Sequence, residues 1–264
     1  MTPYMTRMPL GFGPANGPRH VPDRQSGENR RIRLEVTARV DGLEPLLAED
    51  MALPADPVVV VEAHYLSDLR WLAGRGYNIV RVRVPVLVGG RAFDYLPVLW
   101  ENLPDAIMTG REELGYPKLY AEIPGHTHTG GASRGSASWD GFTFVDLAVR
   151  DLVETSPGER NPHTPRPEGV LVRKYIPRTG GAGADADYVT MTPAGAQPPV
   201  VERAWTGSGR FAFHSATFAQ LPTLHHVVNR LAALDVREFV DARILHTRGD
   251  GDLSAQCIVD GGPA

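Results

Sequence analysis

Residues 113–122 read ELGYPKLYAE and carry Lys118 at their centre, one of only two lysines among 27 basic side chains, the other being Lys174. Wherever a plain positive charge would serve, this chain writes arginine. Arginine keeps its proton at any useful pH, whereas a lysine in apolar surroundings can lose one and become a nucleophile. Lys118 stands among Tyr116, Pro117, Leu119 and Tyr120, which supply such surroundings. A lysine at the entry to a strand also reaches solvent along its own stem, so spacing alone leaves a catalytic and a structural role open.

Other candidates fit chemistry less well. GASRG at 131–135 matches the Gly-x-Ser-x-Gly pattern and offers Ser133 as a nucleophile, but both flanks read as Gly/Ser/Thr loop rather than strand and helix. His126 and His128 form a His-x-His pair, and His225 and His226 are adjacent, yet no further ligands at a recognisable spacing complete a zinc site. GFGPANG near the N-terminus lacks the strand and helix that a phosphate loop needs. No metal or other cofactor is expected.

The elements that must position Lys118 follow from pattern. Hydrophobic content of 42% and a formal net charge of −4 fit a globular protein and give no electrostatic case for nucleic acid or an anionic membrane. A single cysteine excludes an internal disulfide framework and suits a reducing, cytoplasmic setting. No signal-peptide pattern or membrane-length apolar run is present. Residues 1–29, rich in Gly, Pro and Arg, read as an extended arm, and residues 30–264 as one domain. RIRLEVTARV, PVVVVEAHYL and the pair around Gly89-Gly90 read as strands, as do FTFVDLAVRDLV, GVLVRKYIPR, YVTMTP, VVERAWTG and GRFAFHSATF. GHTHTGGASRGSASWDG reads as a hairpin tip, and the chain ends as two strands across an Asp250-Gly251 turn. Three stretches read as short helices: DGLEPLLAED capped by Asp41, NLPDAIMTGREELG with Asn102 as cap and Gly115 as stop, and LPTLHHVVNRLAAL. The expected class is a β-rich α+β domain with a curved or barrel-like sheet. Lys118 then lies just after a helix, at the start of KLYAEI.

NLPDAIMTGREELGYPKLY resembles the acetoacetate decarboxylase family, in which a GRE helix leads into a Gly-aromatic-Pro-Lys motif. RPEGVLVRKYIP, VERAWTGSGRFAF and LDVREFVDARIL resemble further segments of that family in the same order, and the likeness runs from about Arg30 to near Leu253. It implies a cone-shaped antiparallel barrel, a homo-oligomer, and a Schiff-base lysine at Lys118. It also implies an active-site glutamate at Glu62, an N-terminal arginine at Arg30 or Arg31, and pocket residues at Tyr77, Ile79, Tyr116 and Trp205. Two departures stand out. Leu119 takes the place of a second lysine, and Tyr77-Asn78-Ile79 ends on isoleucine where the decarboxylases carry glutamate. With Leu119 there, desolvation by Tyr116 and Leu119 is expected to free the amine of its proton.

The chemistry so implied is attack by neutral Lys118 on a small keto acid, with Glu62 as general acid/base, and decarboxylation of a β-keto acid through the iminium. Loss of a charge at Ile79 points to an alternative, an aldolase, dehydratase or cyclase acting on a 2-keto acid. A non-catalytic ligand-binding member of the fold, and a hydrolase using Ser133, are the readings from other classes.

Overall fold

Strand after strand in this chain alternates one apolar residue with one that is polar or charged, which gives a sheet two chemically different faces. A computed structural model describes residues 28–164, 167–194, 199–249, 253 and 255–259. The strands are β1 (Arg30–Asp41), β2 (Val58–Ser67), β3 (Asn78–Val88), β4 (Arg91–Glu101), β5 (Lys118–Tyr120), β6 (Thr127–Thr129) and β7 (Ala132–Trp139). Then follow β8 (Phe142–Thr155), β9 (Gly169–Pro177), β10 (Ala184–Pro193), β11 (Val200–Phe213), β12 (Asp235–Arg248) and β13 (Cys257–Ile258). Among the described residues two α-helices, α1 (Pro104–Glu112) and α2 (His225–Ala232), complete the fold.

All the strands join one sheet in the order β13-β10-β9-β4-β3-β2-β1-β12-β11-β8-β7-β6, with β5 added on β4. The path is open at both ends, so the expected barrel-like architecture is met by a curved sheet rather than a closed ring. Pairing is antiparallel except where β4 meets β5 and β9.

Register makes the two faces explicit. One row across the sheet, Ile244, Leu34, Ala63, Val80, Trp100 and Leu119, is wholly apolar. This face is the core: Trp100 meets Phe144 of β8 at 5.2 Å between ring centroids, and Val228 and Leu231 of α2 are buried in the same cluster. The neighbouring row on the other face reads Arg243, Glu35, Glu62, Arg81, Leu99 and Lys118. The segment between β8 and β9 lies over that charged face, where Asn161 Nδ2 donates to Thr37 Oγ1 at 2.9 Å.

Several local expectations change. DGLEPLLAED forms only a 3₁₀ turn, Glu44–Leu46, and ends where Leu47 turns to an extended backbone (φ −76°, ψ 149°). Leu103, not Asn102, precedes α1; Asn102 instead accepts from the Asn78 backbone N–H at 2.8 Å and donates to the Ile123 carbonyl. GHTHTGGASRGSASWDG is the hairpin expected of it, β6 and β7 paired antiparallel about a turn at Gly130-Gly131, but its flanks are strand rather than loop, and a second turn at Asp140-Gly141 leads into β8. VVERAWTG and GRFAFHSATF merge into the single strand β11, which carries two register shifts. GFGPANG, most of the proposed N-terminal arm and the Asp250-Gly251 turn lie outside the described residues. Among the described residues no helix is long and apolar enough to cross a membrane.

Candidate active site

The segment from α1 to β5 is built around Lys118. After α1 the chain turns at Gly115, whose φ of +75° suits glycine, and Tyr116 N–H returns to the Gly110 carbonyl at 3.1 Å. Arg111 then donates to the Lys118 carbonyl at 2.8 Å, and the Pro117 carbonyl accepts from Leu99 N–H, which locks β5 parallel to β4. The side chain of Lys118 passes back across α1 at Gly110. A Cβ there would lie 2.3 Å from Lys118 Cε and 2.6 Å from its Nζ, so only glycine leaves the path open. Gly110 and Arg111, the GR of the GRE helix, thus have separate tasks: one clears the stem and the other holds the backbone.

Lys118 is 11% exposed at its side chain, and its amine has two partners. Nζ lies 2.9 Å and 3.1 Å from the two carboxylate oxygens of Glu101, and donates to the Ala106 carbonyl at 3.0 Å. Glu101 is only 1% exposed, and burial raises its carboxyl above the usual range, an effect that the charge and hydrogen bond of Lys118 oppose. Tyr116 presents its ring 5.9 Å from Nζ, while its hydroxyl is paired with Thr192 Oγ1 at 3.0 Å. Burial raises the Tyr116 hydroxyl, so it stays protonated.

Leu119 does not desolvate the amine as expected. Strand alternation turns it to the opposite face, against Trp100 and the core. The apolar wall beside Lys118 is instead Leu99, in register with it, together with α1.

Further along the row, Glu62 is fully buried and does not touch Lys118. Arg81 Nε donates to its Oε2, Arg83 reaches its Oε1 at 3.2 Å, and His64 Nε2 is 3.4 Å away. Burial alone would raise the Glu62 carboxyl; the charges of Arg81 and Arg83 and the His64 contact overcome it and hold the group well below the usual range. Glu35 stands opposite Glu62 in register, and burial raises its carboxyl, with Arg33 and Arg83 opposing and Glu62 assisting. Burial and the neighbouring charges thus push the two carboxyls in opposite directions, Glu35 upward and Glu62 downward. Burial, followed by the nearby Arg81 charge, holds His64 well below its usual value, so its contact with Glu62 is that of a neutral ring.

The remaining candidates separate by face. Ile79 pairs with Glu101 on one side and His64 on the other, so it lies on the charged face beside the Lys118 row. Arg31, in register with Leu66 and Thr247, belongs to that face too, and its charge acts on His64. Arg30 does not: it is exposed and bonds Glu202 at 3.1 Å. Tyr77 precedes β3 and packs edge-on to Trp71 at 6.1 Å. Trp205 pairs with Ile244 on the apolar face and stacks with His246 and Arg203, so it is not brought to Lys118. Ser133 is buried within β7 and bonds its cross-strand neighbour His128 at 2.9 Å, which is not the strand-to-helix turn of a hydrolase elbow. Among the described residues no group of three His, Cys, Asp or Glu is placed to hold a metal.

Sequence reasoning missed Glu101, Arg81 and His64. For Arg81 and His64 the signal was present: the i, i+2 charged residues of EAH and RVR repeat on adjacent strands. For Glu101 the only signal was a carboxylate ending an apolar strand just before the helix.

The sequence model for acetoacetate decarboxylase matches residues 7–253. The acetoacetate decarboxylase of Clostridium botulinum (strain Eklund 17B / Type B) is 28% identical over 195 residues, covering 69% of this chain and 72% of its own length. A solved acetoacetate decarboxylase superposes with a TM-score of 0.70 at 19% identity, covering 96% of this chain and 94% of its own. The enduracididine biosynthesis enzyme MppR, complexed with pyruvate, superposes with a TM-score of 0.64 at 15% identity, covering 87% of this chain and 88% of its own. At these identities the two structures speak for the fold alone.

Proposed function

Because the chain belongs to the acetoacetate decarboxylase family, we propose that it is a Schiff-base-forming lyase that decarboxylates a β-keto acid, with Lys118 as its nucleophile. One observation carries the reading: the amine of Lys118 lies 2.9 Å from a buried carboxylate, beside the Tyr116 ring, with its stem running through the gap left by Gly110. An ammonium ion cannot attack. Glu101, already raised by burial, is the group in reach to take the proton from Nζ.

The neutral amine then adds to the ketone carbon, and the carbonyl oxygen leaves as water. The iminium left behind draws the electron pair of the bond to the carboxylate carbon, CO₂ departs, and an enamine remains. Protonation at carbon and hydrolysis of the new iminium return the ketone and the free amine. Overall, one β-keto acid anion and one proton become one ketone and CO₂. Glu62 serves this cycle through Arg81, which it grips, rather than at the amine itself.

Ile79 favours a second reading. It faces Glu101 in register and adds apolar surface where the decarboxylases carry a glutamate, which suits a 2-keto acid that reacts through its enamine without losing CO₂.

The deciding experiment is borohydride reduction in the presence of acetoacetate and, separately, pyruvate, followed by peptide mapping. A reduced adduct on Lys118 that is absent from Lys118→Ala supports the Schiff base, and its mass with acetoacetate tells whether CO₂ has left. No adduct with any carbonyl compound refutes the nucleophilic lysine and leaves a binding protein.

A further inference from the structure

The charged face of the sheet carries several guanidinium groups, and they are not committed to the same degree. Arg83 has both terminal nitrogens committed: they reach Asp94 at 2.6 Å, Glu62 at 3.2 Å and Glu35 at 3.8 Å, and its Nε, unpartnered among the described residues, is buried. Arg243 is nearly buried, with Asp241 beside it at 3.9 Å. Arg81 differs. Among the described residues its hydrogen-bonding partner is Glu62, and that contact uses Nε alone. The forked edge with both terminal nitrogens is left over, and the side chain is 22% exposed.

Arg81 is also the arginine that stands nearest the amine along the sheet. Lys118, Leu99 and Arg81 are successive members of one row on one face. Two strand spacings, roughly 10 Å between Cα atoms, separate lysine and arginine, a gap that their long side chains narrow. Lys118 Nζ is 5.9 Å from the centre of the Tyr116 ring, and the charge of Arg81 acts on the hydroxyl of the same residue. Arg33, whose Nε likewise holds Glu35, is four strands from Lys118 and opposite His64.

We infer that Arg81 is the substrate-positioning residue of this site: its free guanidinium edge receives the carboxylate of an anionic carbonyl compound while Lys118 engages the carbonyl. This rests on the Schiff-base reading given above. The arrangement explains an otherwise costly burial. Glu62, fully buried and pinned by Arg83 and His64, fixes Arg81 from behind and leaves its fork directed to whatever lies over the row. A bidentate guanidinium–carboxylate pair sets orientation as well as affinity, which is what a reacting keto acid requires.

The test compares a charged and an uncharged carbonyl compound on the same variant. Borohydride trapping at Lys118 is measured against concentration for acetoacetate and for acetone, in the wild type, Arg81→Gln and Arg81→Lys. For Arg81→Gln the half-saturating concentration of acetoacetate is expected to rise about 10- to 100-fold, the scale of a lost charged hydrogen-bonded contact, while that of acetone stays within about twofold. Arg81→Lys keeps a cation for Glu62 but not the fork, so it recovers only part of the acetoacetate loss, and it serves as the test if the glutamine variant does not fold. An equal rise for both compounds means that Arg81 only supports the fold, and no rise for either means that the carboxylate binds elsewhere; each overturns the inference. Should the wild type trap neither compound, the Schiff-base reading fails by itself, and calorimetric titration with 3-hydroxybutyrate, which has no carbonyl to attack, decides on Arg81. Weakening of at least about tenfold in Arg81→Gln upholds the inference, and unchanged or undetectable wild-type binding overturns it.

Discussion

Replacing Gly110 by alanine is expected to damage the site while improving the helix that carries it. In an α-helix alanine is favoured over glycine by about 1 kcal/mol, and Gly110 sits inside α1 with ordinary helical geometry. The obstacle is Lys118. Its Cε would be 2.3 Å from the new methyl, against at least 3.4 Å for ordinary contact, so the stem must shift by about 1 Å. A displacement of that size at a reacting group costs on the order of 100-fold in rate, and it pulls Nζ away from Glu101 and the Ala106 carbonyl. A buried ion pair that loses a partner costs roughly 3–5 kcal/mol, so full separation of Lys118 from Glu101 sets an upper bound of about 2–4 kcal/mol on the net loss once the helix gain is subtracted. The assay is a double-mutant cycle on trapping rate and thermal stability. In wild type, Gly110→Ala should slow trapping about 100-fold and lower the melting temperature. In a Lys118→Ala background the clash is gone, and the same substitution should stabilise by about 1 kcal/mol. That reversal of sign is the signature. If Gly110→Ala traps at the wild-type rate, or destabilises both backgrounds equally, the account of Gly110 as the clearance for the lysine is wrong.

Two further outcomes follow from the same groups. Glu101→Gln keeps the shape and an acceptor for Nζ but cannot take a proton; trapping at neutral pH should fall by about 10²- to 10⁴-fold and recover toward alkaline pH, where hydroxide does the work. A variant with the wild-type pH–rate profile would remove Glu101 from the chemistry. For stability, His64 is held well below its usual 6.5, so the folded state binds fewer protons than the unfolded one and stability is lost as pH falls below about 6.5. Glu62, held well below 4.5, adds a second loss as pH falls below that value, whereas the raised Glu35 and Glu101 carboxyls bind protons more tightly when folded and slope the opposite way. The clean readout is therefore a difference: melting temperatures from pH 7 to 5 should drop more steeply for wild type than for His64→Gln, and parallel curves would contradict a buried neutral imidazole.

Much of this arrangement was legible in the residues. Alternation in RIRLEVTARV and the Gly89-Gly90 turn identified strands because period and turn chemistry are local. Lys118 stood out because a rare residue type followed a helix stop. Arg31 and Arg30 could not be ranked until β1 was seen in register, since one residue of parity decides the face. Trp205 failed for the same reason. Two register shifts in β11 flank it, and no pattern within VERAWTG tells which face survives them. Glu101 was invisible because its meeting with Lys118 is made by a parallel pairing across a helix and a turn, a contact that neither strand's own sequence encodes.

The charged face shows why pattern alone misleads here. RIRLE, VEAHY and RVRV each alternate as solvated strands do, and an isolated reading puts their arginines in water. The structure instead stacks them beside one another and covers them, with the carboxylates deepest: Glu62 is fully buried, while the guanidinium of Arg81 keeps contact with the outside. That order is what electrostatics demands. A carboxylate withdrawn from water must meet cations and hydrogen-bond donors, and long arginine side chains can supply them from below while their outer nitrogens stay accessible. The consequence is a surface whose reachable groups, Arg81 and Lys118, are cationic although the layer beneath them is acidic. A face built in this way attracts an anion and turns away a second cation, so a molecule carrying a carboxylate close to a carbonyl meets both of its requirements within one row of the sheet.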